Sequence, residues 1–246
     1  MIIYGRNSVK ELLINSPSKI AELFIHEGSK KSFYLEIENL CRKNNLKLSS
    51  LNDSAISKLC KSTKHQGVAA EIEDFQYTEF GEIIESFKSS DGYKIVVVLD
   101  HIEDPQNLGA IIRSVNVLGG DGVIIPKDRS AGITPAVVKA SAGAVNYVPI
   151  VQEVNLPRVI EKLKENDFWV VGCDQNAEKN VYEENFTDRN IALVVGSEGR
   201  GLSSSIKKQC DYLVKIPQVG IVSSLNVSVA AGIMLYEIKK IKTQNI

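Results

Sequence analysis

Three short segments of this sequence pair side chains that can orient or move a proton with backbone that can stand close to a ligand. In Leu99-Asp-His-Ile-Glu-Asp-Pro-Gln-Asn-Leu-Gly-Ala-Ile-Ile-Arg113 a strand runs through a polar loop into a helix. Asn107 stands where a helix N-cap is expected, just before Leu108, Ile111, Ile112, Val115 and Leu118, which share one helical face. Arg113 then points away from that face, toward solvent or toward the crevice that open α/β folds form at the carboxyl ends of their strands. Asp100, His101, Glu103 and Asp104 are metal-ligand types, but they crowd into one loop without the spacing of a known site. They are expected to form a polar strand-to-helix loop, and no metal site is assigned.

The second segment, Leu193-Val-Val-Gly-Ser-Glu-Gly-Arg-Gly-Leu202, is a strand ending in a glycine-rich loop. Gly196 and Gly201 are spaced as in a P-loop, yet Leu202 stands where lysine is required, and no G-x-G-x-x-G can be drawn through it. Such glycines instead let a cofactor lie against bare backbone, with Glu198 as the acid inside the loop. The third segment runs from Ile216 to Tyr236. A strand ends at Ile216 and Pro217, Ser223 or Ser224 is expected to cap a helix, and Asn226 falls in its first turn, where free amides are within a ligand's reach. Ser228, Ala231 and Gly232 give that helix a small-residue face suited to close packing. A buried C-terminal helix accounts for the apolar positions but not for the polar run Ser223-Ser224-Leu225-Asn226. The chain has three histidines and no G-x-S-x-G, so Ser-His-Asp hydrolysis has little support.

These segments need a scaffold. From Tyr93 onward come short, continuous apolar runs, Ile95 to Leu99, Val123 to Ile125, Trp169 to Val171, Ala192 to Val195 and Tyr212 to Val214. Runs without polar alternation predict strands covered on both faces, as in a parallel sheet flanked by helices. Helical patterns fall between them at Leu108 to Leu118, Pro135 to Ala142, Leu156 to Asn166 and Leu225 to Lys240. Residues 1–74 read as a smaller α/β unit, with helices at Asn7 to Ile14, Ser32 to Lys43 and Asp53 to Lys61 and strands at Ile20 to His26, Leu46 to Ser49 and Val68 to Ile72. Residues 75–92 hold a weak helical patch around Phe80, Ile83, Ile84 and Phe87 followed by Ser89-Ser90-Asp91-Gly92, a composition expected of a linker to residues 93–246.

Composition bounds the class. A chain of 246 residues, 43% of them hydrophobic, can bury a sizeable core. No run approaches the roughly 20 apolar residues that span a bilayer, and the start lacks the pattern of a secretory signal, so no membrane association and a cytoplasmic address are expected. The four cysteines are widely spaced, which predicts buried, reduced thiols rather than a zinc site or a disulfide framework. Formal charge is −1 overall but uneven, at +5 over residues 1–70, −6 over 71–92 and 0 over 93–246. Lys30, Lys31, Arg42, Lys43, Lys47, Lys58, Lys61 and Lys64 form a basic front that could grip phosphates.

Taken together, N-L-G-x-x-x-R from Asn107, G-x-E-G-x-G-L from Gly196 and I-P-x-x-G-x-x-x-S-L-N-V-S-x-A from Ile216 resemble the three signature motifs of the SpoU family of RNA ribose 2′-O-methyltransferases, in that family's order. Tyr4-Gly5-Arg6-Asn7-Ser8-Val9, His65-Gln66-Gly67 and Pro126-Lys127-Asp128-Arg129-Ser130-Ala131 look like the members that carry an N-terminal substrate-binding domain and methylate a guanosine of 23S rRNA. The resemblance implies an α/β methyltransferase domain with a mostly parallel sheet and a C-terminal trefoil knot, one of the few exceptions to the rule against knots. Before it would stand a small ribosomal-protein-like domain that binds RNA. The resemblance further implies S-adenosylmethionine as methyl donor, held against Gly196, Ile216 and Leu225 without a metal, structured RNA as partner and a homodimeric assembly. Asn107, Arg113, Glu198, Ser224 and Asn226 match the polar positions used around the reacting ribose. A guanidinium is not normally deprotonated in proteins, so Arg113 is expected to bind a phosphate and stabilise the developing alkoxide. Asn107, Glu198 and Asn226 are expected to orient it and the RNA, and Ser224 to cap the helix and line the pocket. A tRNA ribose methyltransferase and a non-catalytic RNA-binding protein of the same fold are the alternatives; the failed dinucleotide fingerprint argues against an oxidoreductase.

Overall fold

The computed structural model describes residues 1–221 and 224–243. The chain forms two compact units, Met1–Gln76 and a second beginning at Tyr77. In the first, β1 (Ile2–Tyr4), α1 (Arg6–Asn15), β2 (Ile20–His26), α2 (Lys31–Lys43), β3 (Leu48–Leu51), α3 (Asp53–Cys60) and β4 (Val68–Ile72) follow one another. The sheet order is β1-β4-β2-β3, with β2 and β3 parallel and the other pairs antiparallel. Val9 and Leu13 of α1, with Phe33, Ile37 and Cys41 of α2, recur every fourth residue and close over Leu23, Ile25, Val68 and Ala70. β3 begins at Leu48 rather than Leu46 because Leu46 is used to end α2. Its N–H donates to the Cys41 carbonyl at 2.9 Å, with Asn45 left-handed at φ 53°.

The second unit runs α4 (Phe80–Lys88), β5 (Ile95–Asp100), α5 (Pro105–Val117), β6 (Gly122–Pro126), α6 (Pro135–Ala140), β7 (Ile150–Glu153), α7 (Leu156–Glu165), β8 (Phe168–Cys173), β9 (Lys179–Asn180), β10 (Asn190–Gly196), α8 (Ser204–Lys207), β11 (Tyr212–Lys215) and α9 (Val227–Thr243). All its strands pair in parallel, in the order β7-β6-β5-β10-β8-β11-β9. This is the covered parallel sheet that the unbroken apolar runs predict. Val96, Val98, Ile124, Val170, Ala192 and Val194 pack against Phe80, Ile83 and Ile84 of α4 and Leu156, Val159, Ile160 and Leu163 of α7. The intervening Val97, Leu99, Leu193 and Val195 are buried as well; beyond the sheet α5 and α9 pack on each other, and α9 also reaches β10. Full burial of each such side chain stabilises by roughly 1.5–3 kcal/mol.

Two expectations change here. The stretch read as a linker carries α4, whose Phe80, Ile83 and Ile84 belong to the second unit's core, and the chain divides after Gln76. Acidic residues on the solvent side of α4, Glu79, Glu82 and Glu85, diluted the apolar signal of a helix only nine residues long. Second, the strands at Ile2–Tyr4, Ile150–Glu153 and Lys179–Asn180 have no sequence counterpart above, since two to four residues are too few to show a period.

The strand order positions the site. From β5 the chain moves outward to β6 and β7, then returns on the other side through β8, with β10 inserted between β5 and β8. In open α/β sheets such a reversal opens a crevice at the carboxyl ends of the strands. There Gly196 lies in register with Asp100, and Val195 with Cys173.

Candidate active site

Loop residues after β10 and β11 and the start of α9 meet at that crevice around a cavity of ≈ 550 Å³. Its walls include Val195, Gly196, Ser197, Glu198, Ile216, Ser224, Leu225 and Asn226, joined by Cys173 and Asp174 from the end of β8 and Lys207 of α8. Gly196 also has a packing role. A Cβ at this position would stand 2.2 Å from the Gly201 carbonyl carbon and 2.4 Å from the Leu202 nitrogen, so the loop folds back directly over bare backbone.

Residues from all three segments converge on one carboxylate oxygen. Glu198 Oε1 accepts from Asn226 Nδ2 at 2.6 Å, from Asn107 Nδ2 at 3.2 Å and from the Val227 N–H at 3.3 Å. Asn226 Nδ2 also donates to Asn107 Oδ1 at 3.0 Å, closing the cluster. The sequence positions of its members are up to 119 residues apart. An ionised carboxylate is the acceptor suited to three converging N–H groups, one of them at a helix start.

Both helix caps differ from expectation. α5 begins at Pro105 and is capped by Asp104, whose Oδ1 accepts from the Gln106 N–H at 2.9 Å. Proline in the first helical turn fits that register, and it leaves the Asn107 amide free for Glu198. At α9 the cap is Asn226: its Oδ1 accepts from the Ser228 N–H at 3.0 Å, the Val229 N–H at 3.4 Å and Ser228 Oγ at 2.6 Å. Ser224 is exposed and lines the cavity without capping, and Ser223 lies outside the described residues. The amide of Asn226 therefore caps with its oxygen and binds the site with its nitrogen.

Arg113 is not brought to this cluster. It is exposed on α5, lines neither this cavity nor the one beside it, and forms no ion pair among the described residues. The small-residue face of α9 is likewise turned inward. Ala231 is fully buried, and a Cβ at Gly232 would sit 3.7 Å from Ser114 Oγ of α5. The face of α9 left outward is instead an apolar stripe of Val229, Ile233 and Tyr236.

Cys173, Asp174 and Lys207 were not singled out from sequence; the register of β8 beside β10 brings in the first two, and Lys207 of α8 joins through its ion pair with Asp174. Burial would raise the Asp174 carboxyl, but hydrogen bonds from Lys207 and the Asn176 N–H, with the charge of Lys207, hold it below the usual range. Burial, with the Asp174 charge, pushes the Cys173 thiol up to about 11, and burial pushes Cys210 up to about 12. Thiols held so high stay protonated and unreactive. Gly109, the glycine of N-L-G, has a packing role: a Cβ there would lie 2.5 Å from Ala140 Cβ and 2.9 Å from the Val137 carbonyl oxygen of α6.

In the first unit the basic residues divide into two groups. Arg42 pairs with Glu38 at 3.1 Å and Lys47 with Glu22 at 2.9 Å. Lys30, Lys31, Lys43, Lys58, Lys61 and Lys64 are exposed and form no ion pair among the described residues. Lys30 and Lys31 follow β2 where α2 starts, while Lys61 and Lys64 precede the antiparallel β4, so these four lie at one end of the sheet. Tyr4-Gly5-Arg6 joins them, with Arg6 N–H donating to Gln66 Oε1 at 2.9 Å. The loop is anchored by buried His65, whose Nδ1 accepts from the Gly67 N–H at 3.1 Å and whose Nε2 lies 2.9 Å from Ser57 Oγ.

Residues 94–236 match the model of the SpoU rRNA Methylase family, and residues 2–78 match that of the RNA 2′-O ribose methyltransferase substrate-binding domain. The chain belongs to the SpoU family. A protein of Staphylococcus haemolyticus assigned to the TrmH family of tRNA/rRNA methyltransferases is 40% identical over 244 residues, 99% of this chain and 97% of the relative. Among solved structures, the SpoU methyltransferase AviRb of Streptomyces viridochromogenes aligns with a TM-score of 0.73 at 24% identity, over 100% of this chain and 90% of that one. An rRNA methyltransferase of Sinorhizobium meliloti, solved with AdoMet bound, aligns at 0.72 and 24%, over 97% and 86%. At that identity these two speak to the SpoU fold. Membership of the family makes the chain an RNA methyltransferase of the SpoU/TrmH type. No helix among its described residues is long and apolar enough to cross a membrane.

Proposed function

We propose that this SpoU-family chain is a cytoplasmic enzyme that transfers the methyl group of S-adenosylmethionine to the ribose 2′-hydroxyl of a guanosine in 23S rRNA. The observation that carries this reading is the convergence of Asn107, Glu198 and Asn226 on one hydrogen-bonded point at the rim of the ≈ 550 Å³ cavity. The cavity fits the methyl donor. Its size suits a nucleoside-sized ligand, Gly196, Ile216 and Leu225 offer main chain and an apolar wall, and Asp174, held ionised by Lys207, suits a ligand carrying a sulfonium. The donor supplies an activated methyl group and a good leaving group. The protein's own task is to align the hydroxyl, exclude water and remove a proton.

In this reading Glu198 and Asn107 fix the ribose, Asn226 ties them to α9, and Ser224 lines the donor's wall. Arg113 binds the phosphate beside the target ribose and stabilises charge developing on O2′. Because Arg113 lies outside both cavities of its own chain, it serves the site of a second copy in a homodimer, whose contact uses the stripe Val229, Ile233 and Tyr236. A trefoil knot in the C-terminal part of the second unit belongs to this reading. The free lysines at one end of the first unit's sheet, with Arg6 and the exposed Tyr4, grip the rRNA backbone.

Mapping 2′-O-methyl groups on total RNA with and without the protein tests the reading. Loss of one methylated guanosine in 23S rRNA is expected; loss at a tRNA position moves the substrate to tRNA, and an unchanged map overturns the enzymatic reading. The intact cluster speaks against a non-catalytic RNA-binding protein, and S-adenosylmethionine should raise the melting temperature.

A further inference from the structure

The proposed reaction must take a proton from a ribose hydroxyl, and neither the Glu198 cluster nor Arg113 is suited to accept it. Glu198 Oε1 already faces three donors, and a guanidinium holds its proton. Beside the donor cavity lies a second cavity of ≈ 520 Å³, lined among others by His101, Asn107, Arg129, Glu198 and Arg200. The two share Ser197, Glu198, Arg200, Gly201 and Val227, so they adjoin along one loop.

His101 stands at the mouth of β5 on a buried partner. Its Nδ1 is 2.7 Å from Oδ1 of Asp100, a residue only 2% exposed. The other oxygen, Asp100 Oδ2, accepts from the Ser203 N–H at 2.7 Å, so the carboxylate is held at both ends. An ionised carboxylate only accepts, which places the imidazole proton on Nδ1 and leaves the lone pair of the neutral ring on Nε2. Holding the loop against β5 needs Asp100 and Ser203 but no histidine. Yet residue 101 has φ 61°, a left-handed backbone that a glycine or asparagine adopts more readily, so His101 is present there against local strain.

Resting on the ribose-methylation reading, we propose that His101 is a catalytic residue whose Nε2 accepts the 2′-hydroxyl proton. As the O2′ lone pair bonds to the methyl carbon, the carbon–sulfur pair stays on sulfur as a neutral thioether, and the O2′ proton passes to Nε2. The resulting imidazolium is stabilised by Asp100 and later releases its proton to water. The charged groups lining this cavity together with His101 are Asp100, Glu103, Asp104 and Glu198 against Arg129 and Arg200. The two exposed arginines form no ion pair among the described residues and stand ready for the flanking phosphates.

The test is single-turnover transfer of a labelled methyl group from S-adenosylmethionine to total RNA of cells lacking the protein, followed against pH. Wild type is expected to rise in rate with pH through the range in which an imidazole loses its proton. His101→Asn, which tolerates the left-handed backbone, should lose that rise and fall in rate by on the order of 10²-fold or more. Donor and RNA affinity should be unchanged, and added imidazole should restore part of the rate to His101→Gly. Retention of the wild-type rate and pH dependence in His101→Asn overturns the assignment, as does a loss explained by weakened RNA binding. No transfer by wild type defeats the methylation reading itself.

Discussion

The amide of Asn226 does two jobs at once, and they can be separated. As the N-cap of α9 it contributes about 1 kcal/mol, and as a donor to Glu198 and Asn107 it holds the site together. Asn226→Ala should lose both, with a melting temperature lower by roughly 2–4 °C and methyl transfer down at least ten-fold. Asn226→Ser should recover most of the melting temperature, since serine caps well, but not the activity; recovery of both would reduce the residue to a cap. Cys173 lines the ≈ 550 Å³ cavity but is inert. With its thiol pushed up to about 11, it stays protonated through neutral pH, and its thiolate fraction grows only as pH climbs toward that value. Alkylation by iodoacetamide followed by peptide mass mapping should therefore be slow at pH 7 and accelerate above about pH 9. Of the residue-level expectations, Asn107 was legible as a cap candidate, Glu198 as the acid of a glycine-rich loop and Asn226 as a polar residue in an apolar stretch. Their caps were not, since Asp104 and Asn107 fit the same helix start in sequence and only the proline in the first turn decides between them.

At the scale of elements, helix contacts turn on glycines without left-handed backbone. Gly109 allows α6 to cross α5 so closely that a methyl group would meet Ala140 Cβ at 2.5 Å. Gly109→Ala should lower stability by roughly 1–3 kcal/mol, measured by denaturant unfolding, even though alanine is the better helix former in isolation. An unchanged unfolding midpoint would show that α6 gives way. Strands covered on both faces were readable as unbroken apolar runs, and most helices as periodic ones. α4 was missed as a packed element because its buried Phe80, Ile83 and Ile84 share a short, acidic segment, and such a segment reads as linker until its contacts are known. Arg129, whose side chain lines the second cavity, left no periodic signal; it sits in a loop tied to residue 102 by Ala131 N–H at 2.8 Å and Ser130 Oγ at 3.1 Å.

At the scale of the whole molecule, Arg113 and Glu198 are both site candidates that one chain keeps apart. If each active centre draws its arginine from a second copy, chains carrying Arg113→Ala and chains carrying Glu198→Ala, each inactive alone, should regain part of the wild-type rate when mixed and allowed to exchange. A mixture as inactive as its components would return Arg113 to its own chain or to no role. The meeting of Asn107 with Asn226, 119 positions later, also has a consequence for how the protein is made. During synthesis every wall from β5 to β11 can form while α9 is still inside the ribosome, but Glu198 then lacks two of its three donors. The site matures last, so a chain stalled or cut short before residue 226 carries the family's sheet and no working centre.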